Sequence, residues 1–175
     1  MKFAKYYVGL GAKIKNNHRI VLIDGNYKLD DSIYLFSNVK GNNLIPNSNK
    51  SLLKKEEDRY VQDNFNHEQN LILKENNKYT LIAGCSHRGI TNIIETAEKI
   101  IGNNLDMTIA GFHLFNPVSV KSERFEFIEL MSEKLSNKNM DFYTYHFTGI
   151  KPFNILKQRL KNQIKYLSTG QEIEI

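Results

Sequence analysis

The sequence predicts an α/β fold whose C-terminal part is a parallel sheet, and three observations carry that prediction. After Tyr79 the chain alternates regularly between short β-rich runs and amphipathic stretches of three-to-four-residue period. Before Tyr79 it consists of short β-like runs broken by Asn, Gly and Asp. With 175 residues, 41% of them hydrophobic and 25% charged, it holds enough apolar material for one core and too little for two, so residues 1–175 are expected to form a single domain.

In the β-rich part, residues 1–78, Arg19–Ile23 and Ser32–Val39 read as strands, with turns at Asp24-Gly25-Asn26 and Gly41-Asn42-Asn43. Residues 45–66 are polar and read as irregular. Asn70–Glu75 and Lys78–Ala83 flank Asn76-Asn77, a pair suited to a two-residue hairpin turn. In the alternating part, residues 79–175, a helix over Thr91–Ile101 has Ile90, Ile93, Ile94, Ala97 and Ile101 on one face, Thr91 as its expected N-cap and Gly102 as its stop. The spacing then predicts a strand over Asp106–Ala110 and a helix carrying Phe125, Ile128, Met131 and Leu135 behind a Ser122 cap. A strand over Phe142–Tyr145 follows. Last comes a helix from about Pro152 through Phe153, Leu156, Leu160, Ile164 and Leu167.

Three of the five histidines occupy equivalent places: His87, His113 and His146 each follow a predicted strand. Right-handed crossovers make those strands parallel, so their C-terminal ends share one edge of the sheet, where open α/β sheets bind ligands. The single cysteine, Cys85, lies two residues before His87, excludes an internal disulfide and adds a sulfur to three imidazoles. Such a donor set suits zinc, with iron or manganese also open. Arg88, just before a helix N-terminus, is placed to meet an anion. No run of 18 apolar residues and no secretory leader pattern is present, so no membrane segment and a cytoplasmic location are expected. The net charge of +5 is spread along the chain rather than gathered in a stripe, which disfavours nucleic acid as a partner.

The residues Gly84-Cys85-Ser86-His87-Arg88-Gly89-Ile90-Thr91-Asn92 resemble the G-C-S-H-x-G-I-x-N signature of metallo-β-lactamase-fold metal-dependent hydrolases of the dihydropterin-synthase-like branch. Ala110-Gly111-Phe112-His113-Leu114 resembles its G-G-F-H-L motif, with Ala110 in place of the first glycine. His146-Phe147-Thr148-Gly149 resembles its H-C-T-G motif, with Phe147 in place of cysteine, and His67-Glu68-Gln69-Asn70-Leu71 its [DH]-[DE]-Q-x-L segment. The resemblance implies an αββα fold and a divalent metal, zinc foremost. It implies His87, His113, His146, Cys85 and His67 as metal ligands, with substrate-phosphate contact the alternative for His146, and Thr148, beside the anion-facing Arg88, as a contact to a small anionic, phosphate- or ester-bearing substrate.

One departure is large: no H-x-H-x-D-H cluster occurs, and His18 stands alone among Lys15, Asn16, Asn17 and Arg19. Against the family pattern the chain therefore corresponds to the C-terminal portion of the fold, missing the N-terminal half. The expectation is a hydrolase fragment, inactive and weak in metal retention unless a partner chain supplies that half. A homo-oligomer is the other way to cover the sheet face left bare. The alternative readings are a remnant without turnover and a phosphate- or nucleotide-binding module.

Overall fold

The computed structural model of the protein describes residues 11–175. After a single helical turn, α1 (Ala12–Lys15), the chain enters β1 (Tyr27–Lys28) and β2 (Ile33–Phe36). A 3₁₀ turn (Asn47–Ser51) leads into a small hairpin, β3 (Leu53–Glu56) and β4 (Arg59–Gln62). The predicted hairpin follows as β5 (Asn70–Glu75) and β6 (Lys78–Ile82). Its turn residues Asn76 and Asn77 have φ of 48° and 63°, the left-handed pair that matches the twist of two antiparallel strands. Then come α2 (Ile90–Ile101), β7 (Met107–Gly111), the short hairpin β8 (Phe115–Asn116) and β9 (Lys121–Ser122), and α3 (Phe125–Ser136). The chain closes with β10 (Asp141–Tyr145), α4 (Ile150–Leu160) and β11 (Ile164–Tyr166).

Seven strands form one sheet in the order β1-β2-β5-β6-β7-β10-β11. Pairing is antiparallel from β1 to β6 and parallel from β6 to β11, as expected where helical crossovers replace hairpins. The register aligns Tyr34, Ile72, Leu81, Thr108, Phe142 and Ile164 in one row across the sheet. This row packs into a core with Ile90, Ile93, Ile94 and Ala97 of α2, Ile128, Met131 and Leu135 of α3, and Leu156 and Leu160 of α4. Each large aliphatic or aromatic side chain sealed there contributes about 1.5–3 kcal/mol. The opposite row, Leu35, Leu71, Ile82, Ile109 and Tyr143, is half-buried and lies outside that core. Helices thus cover one face of the sheet, and an apolar row lines the other.

Several expectations are corrected. Arg19–Ile23 is not a strand: Val21 and Leu22 are 76% and 89% exposed, and β propensity without a neighbouring strand to pair with does not make a ladder. Residues 45–66 are not irregular, because Leu53–Gln62 folds back on itself about Glu57, whose φ is 51°. Thr91 lies inside α2, whose N-cap is Gly89 at φ 80°. Ser122 belongs to β9, and Arg124 precedes α3 instead, while Phe125 is 56% exposed. The last helix ends at Leu160; Lys161, at φ 49°, breaks it, and Ile164 to Tyr166 pair with Phe142 to Thr144 of β10. Ile164 follows Leu156 and Leu160 at helical spacing, so the period fits a helix while the free edge of β10 offers a backbone partner.

Candidate metal centre

The three histidine-bearing loops leave the parallel strands at one edge because β6, β7 and β10 end side by side. Gly111 favours their closeness. The Gly111 N–H donates to Gly84 O at 2.8 Å, and a Cβ on Gly111 would meet Gly84 O at 3.2 Å, Tyr145 O at 3.4 Å and the Cys85 Cα at 3.5 Å. Each exit also holds a non-glycine residue in the left-handed region: Ser86 (φ 59°), His113 (φ 49°) and His146 (φ 51°). Such conformations cost on the order of 1–3 kcal/mol and persist only where surrounding contacts over-determine them. Here those contacts include the Phe112 N–H donating to Thr148 Oγ1 at 2.8 Å and Ser48 Oγ donating to His113 O at 2.9 Å.

Cys85 Sγ and one ring nitrogen each from His87 and His113 lie within 4.8 Å of one another. The two imidazoles meet edge to face at 4.2 Å, and Phe65 stacks on the outer side of His87, also at 4.2 Å and nearly parallel. His113 is 5% exposed, yet neither of its ring nitrogens has a hydrogen-bond partner among the described residues. A buried imidazole with no hydrogen-bond partner beside a second imidazole and a thiol is a donor set of the kind that can hold a metal ion. Burial pushes the His87 pKa down to about 3, helped by neighbouring His113, His67 and His146. Burial and His146 push His113 down to about 4. Both rings are therefore neutral near pH 7, the form that ligates a metal. Burial, then the nearby Glu68 carboxylate, holds the Cys85 thiol above its ordinary pKa, so without a cation it stays protonated.

Of the five residues expected as ligands, Cys85, His87 and His113 come together, while His146 and His67 stand apart. His146 is exposed, its ring lies against Phe147 at 3.7 Å, and Phe147 in turn contacts His113 at 5.8 Å. The His67 side chain is 70% exposed and sits 3.7 Å from Asp63.

The two expected substrate contacts also bond within the fold. The Arg88 guanidinium donates to three backbone carbonyls, Val39 O at 3.0 Å, Asn64 O at 3.2 Å and Gly41 O at 3.2 Å. Thr148 is fully buried, and its hydroxyl accepts from Phe112 N and is hydrogen-bonded to the Thr144 hydroxyl at 2.5 Å. Both side chains hold the loops in place, and one N–H on each terminal nitrogen of Arg88 is left beyond these three bonds.

Two residues that hold His87 were not singled out from the sequence. The Glu68 carboxylate accepts the His87 N–H at 2.7 Å and the Arg88 N–H at 2.9 Å. Burial raises its pKa, and those two amides act in the opposite direction. Glu68 thus ties down the two residues that precede the N-cap of α2, Gly89. Asn49, in the 3₁₀ turn, contacts both the ring and the backbone of His87. Glu68 was visible as the acid of the His67-Glu68-Gln69 segment. Asn49 carried no signal, lying in a stretch read as irregular.

No protein-family model matches the chain. In sequence it is 32% identical over 124 residues to the 7,8-dihydropterin-6-methyl-4-(β-D-ribofuranosyl)-aminobenzene-5'-phosphate synthase of Methanocaldococcus jannaschii, an alignment covering 70% of this chain and 40% of that protein. It is 26% identical over 173 residues to an uncharacterised protein of the same organism, MJ0448, covering 97% of this chain and 61% of the relative. In structure it superposes on Tm1679, described as a metal-dependent hydrolase of the β-lactamase superfamily, with a TM-score of 0.67 at 20% identity, covering 88% of this chain and 57% of that one. The fold is thus that of the metallo-β-lactamase superfamily, in the part the chain spans. Within it the chain resembles the dihydropterin-synthase-like branch, and it spans less than two thirds of the length of these relatives. No helix among the described residues is long and apolar enough to cross a membrane.

Proposed function

We propose that this chain carries one side of the metal centre of a hydrolase-like enzyme, with Cys85, His87 and His113 as the ligands it contributes. The observation that carries this reading is His113, whose two ring nitrogens are buried and unpartnered beside the other two donors. Two neutral imidazoles and a thiol that can ionise on contact with a cation favour zinc over harder ions. A divalent ion there supplies Lewis acidity toward a phosphoryl or carbonyl oxygen. The chain's own contribution is to hold the donors: Gly111 brings the strand exits together, Glu68 and Arg88 pin the loop carrying His87, and Phe65 and Phe147 shield the imidazoles from water.

The substrate we propose is a small phosphate- or ester-bearing molecule, a class supported by the 5'-phosphate in the name of the M. jannaschii relative. Its anionic group would be met by residues outside this chain, by exposed His146, or by the Arg88 N–H groups left beyond its three backbone bonds. Three ligands on one side of a site leave it open, and the apolar row Leu35, Leu71, Ile82, Ile109 and Tyr143 supports a covering polypeptide that completes both sheet packing and site. The test is hydrolysis of p-nitrophenyl phosphate and p-nitrophenyl acetate by the zinc-loaded chain, alone and after adding the N-terminal part of a related protein. The expected result is chelator-sensitive turnover only in the mixture. Full turnover by the isolated chain would contradict the need for a partner, and none in either sample would contradict the hydrolase reading.

A further inference from the structure

The side chain of Asn49 determines which nitrogen of His87 is free. Its amide group makes two contacts with that residue: Nδ2 lies 2.7 Å from the His87 backbone oxygen, and Oδ1 lies 2.9 Å from His87 Nδ1. A backbone carbonyl can only accept, so the NH₂ end of Asn49 must face it, and the orientation of the amide follows. The carbonyl end then faces Nδ1 and can only accept from it, so Nδ1 must carry the proton. In a neutral imidazole that leaves Nε2 bare, and no hydrogen bond reaches Nε2 from the described residues.

Asn49 is well placed to impose this choice. It is 6% exposed, and its own backbone is held independently of its side chain, because Gln62 Nε2 donates to Asn49 O at 3.0 Å and to Leu52 O at 2.9 Å. The same turn is tied to the second imidazole's loop through Ser48 Oγ and His113 O, and to Glu123 through Ser48 N at 3.1 Å. We propose that Asn49 is a positioning residue that fixes His87 as its Nδ1–H tautomer and so presents Nε2 as the ligand atom. The second half of this statement rests on the metal reading above; the tautomer itself does not.

The two are separable by experiment. Long-range ¹H–¹⁵N NMR of the metal-free protein at pH 7.5 is expected to show His87 with a protonated Nδ1 and an unprotonated Nε2. Asn49→Leu, which keeps size and removes the acceptor, is expected to release His87 into a mixture of tautomers and to weaken zinc binding about 10–100-fold, the usual effect of losing a partner behind a metal ligand. Asn49→Asp retains an acceptor at Nδ1 and is expected to keep the Nδ1–H form, which a purely space-filling role would not predict. An Nε2–H form in the unmodified protein, or an unchanged His87 spectrum in Asn49→Leu, overturns the proposal. Should the tautomer behave as stated while zinc binds to none of the proteins, the role of Asn49 stands and the metal reading fails.

Discussion

Lowering the pH from 7.5 to 5 is expected to reduce the unfolding free energy of the metal-free protein by about 2 kcal/mol for each of His87 and His113. Both imidazoles have depressed folded-state pKa values, about 3 and about 4, whereas in the unfolded chain they titrate near 6.5. Below pH 6.5 the unfolded chain takes up protons that the folded chain refuses, so stability is complete above that pH. It is lost as the pH falls, through about 4 for His113 and about 3 for His87. Glu68 acts with the opposite sign, since its raised carboxyl pKa favours the folded chain at the acid end of the same range. Urea unfolding at pH 7.5, 6 and 5 in the presence of a chelator measures the effect. A His113→Gln variant should show roughly half the slope, and a flat profile in the unmodified protein would show that these rings are not buried neutral.

Replacing Glu68 with alanine is expected to cost about 3 kcal/mol of stability and to weaken metal binding by at least tenfold. The carboxylate takes the N–H groups of two successive residues, His87 and Arg88, and without it both amides are left partly buried with no acceptor. The loop carrying Cys85 and His87 then loses its anchor on the β5 side and is left with the Arg88 guanidinium on Val39, Gly41 and Asn64, and with the Asn49 and Asn92 side chains on the His87 and Arg88 carbonyls. Glu68→Gln retains one acceptor and should lose about half as much. Denaturation curves and zinc competition with a chromogenic chelator read the two effects. A stable Glu68→Ala protein with unchanged zinc affinity would show that the loop holds its shape without the carboxylate.

The parts of this molecule that repeat a simple rule were legible in the sequence. Asn76-Asn77 called for a hairpin because both positions need φ above zero, and His87, His113 and His146 shared a place because three parallel strands end just before them. Where two rules agree with one pattern, the sequence did not decide: Ile164 extends the apolar stripe of α4 and equally fits the edge of β10. Side-chain commitments were hidden for a different reason. Arg88 and Thr148 have the chemistry of phosphate contacts, and only the fold shows that each also bonds backbone groups of neighbouring loops. His146 shares the left-handed turn of His113, yet the ring of Phe147 lies against both and His146 remains on the solvent side. Asn49 reaches His87 across 38 residues of chain, a contact that no local pattern encodes.

The most direct test is the metal content of the purified chain by elemental analysis after zinc loading and desalting, beside a His87→Ala, His113→Ala double variant. The three donors are expected to retain about one zinc per chain, and the double variant to retain none while still folding. Absence of bound metal in both proteins, or equal zinc in both, would contradict a centre built from Cys85, His87 and His113.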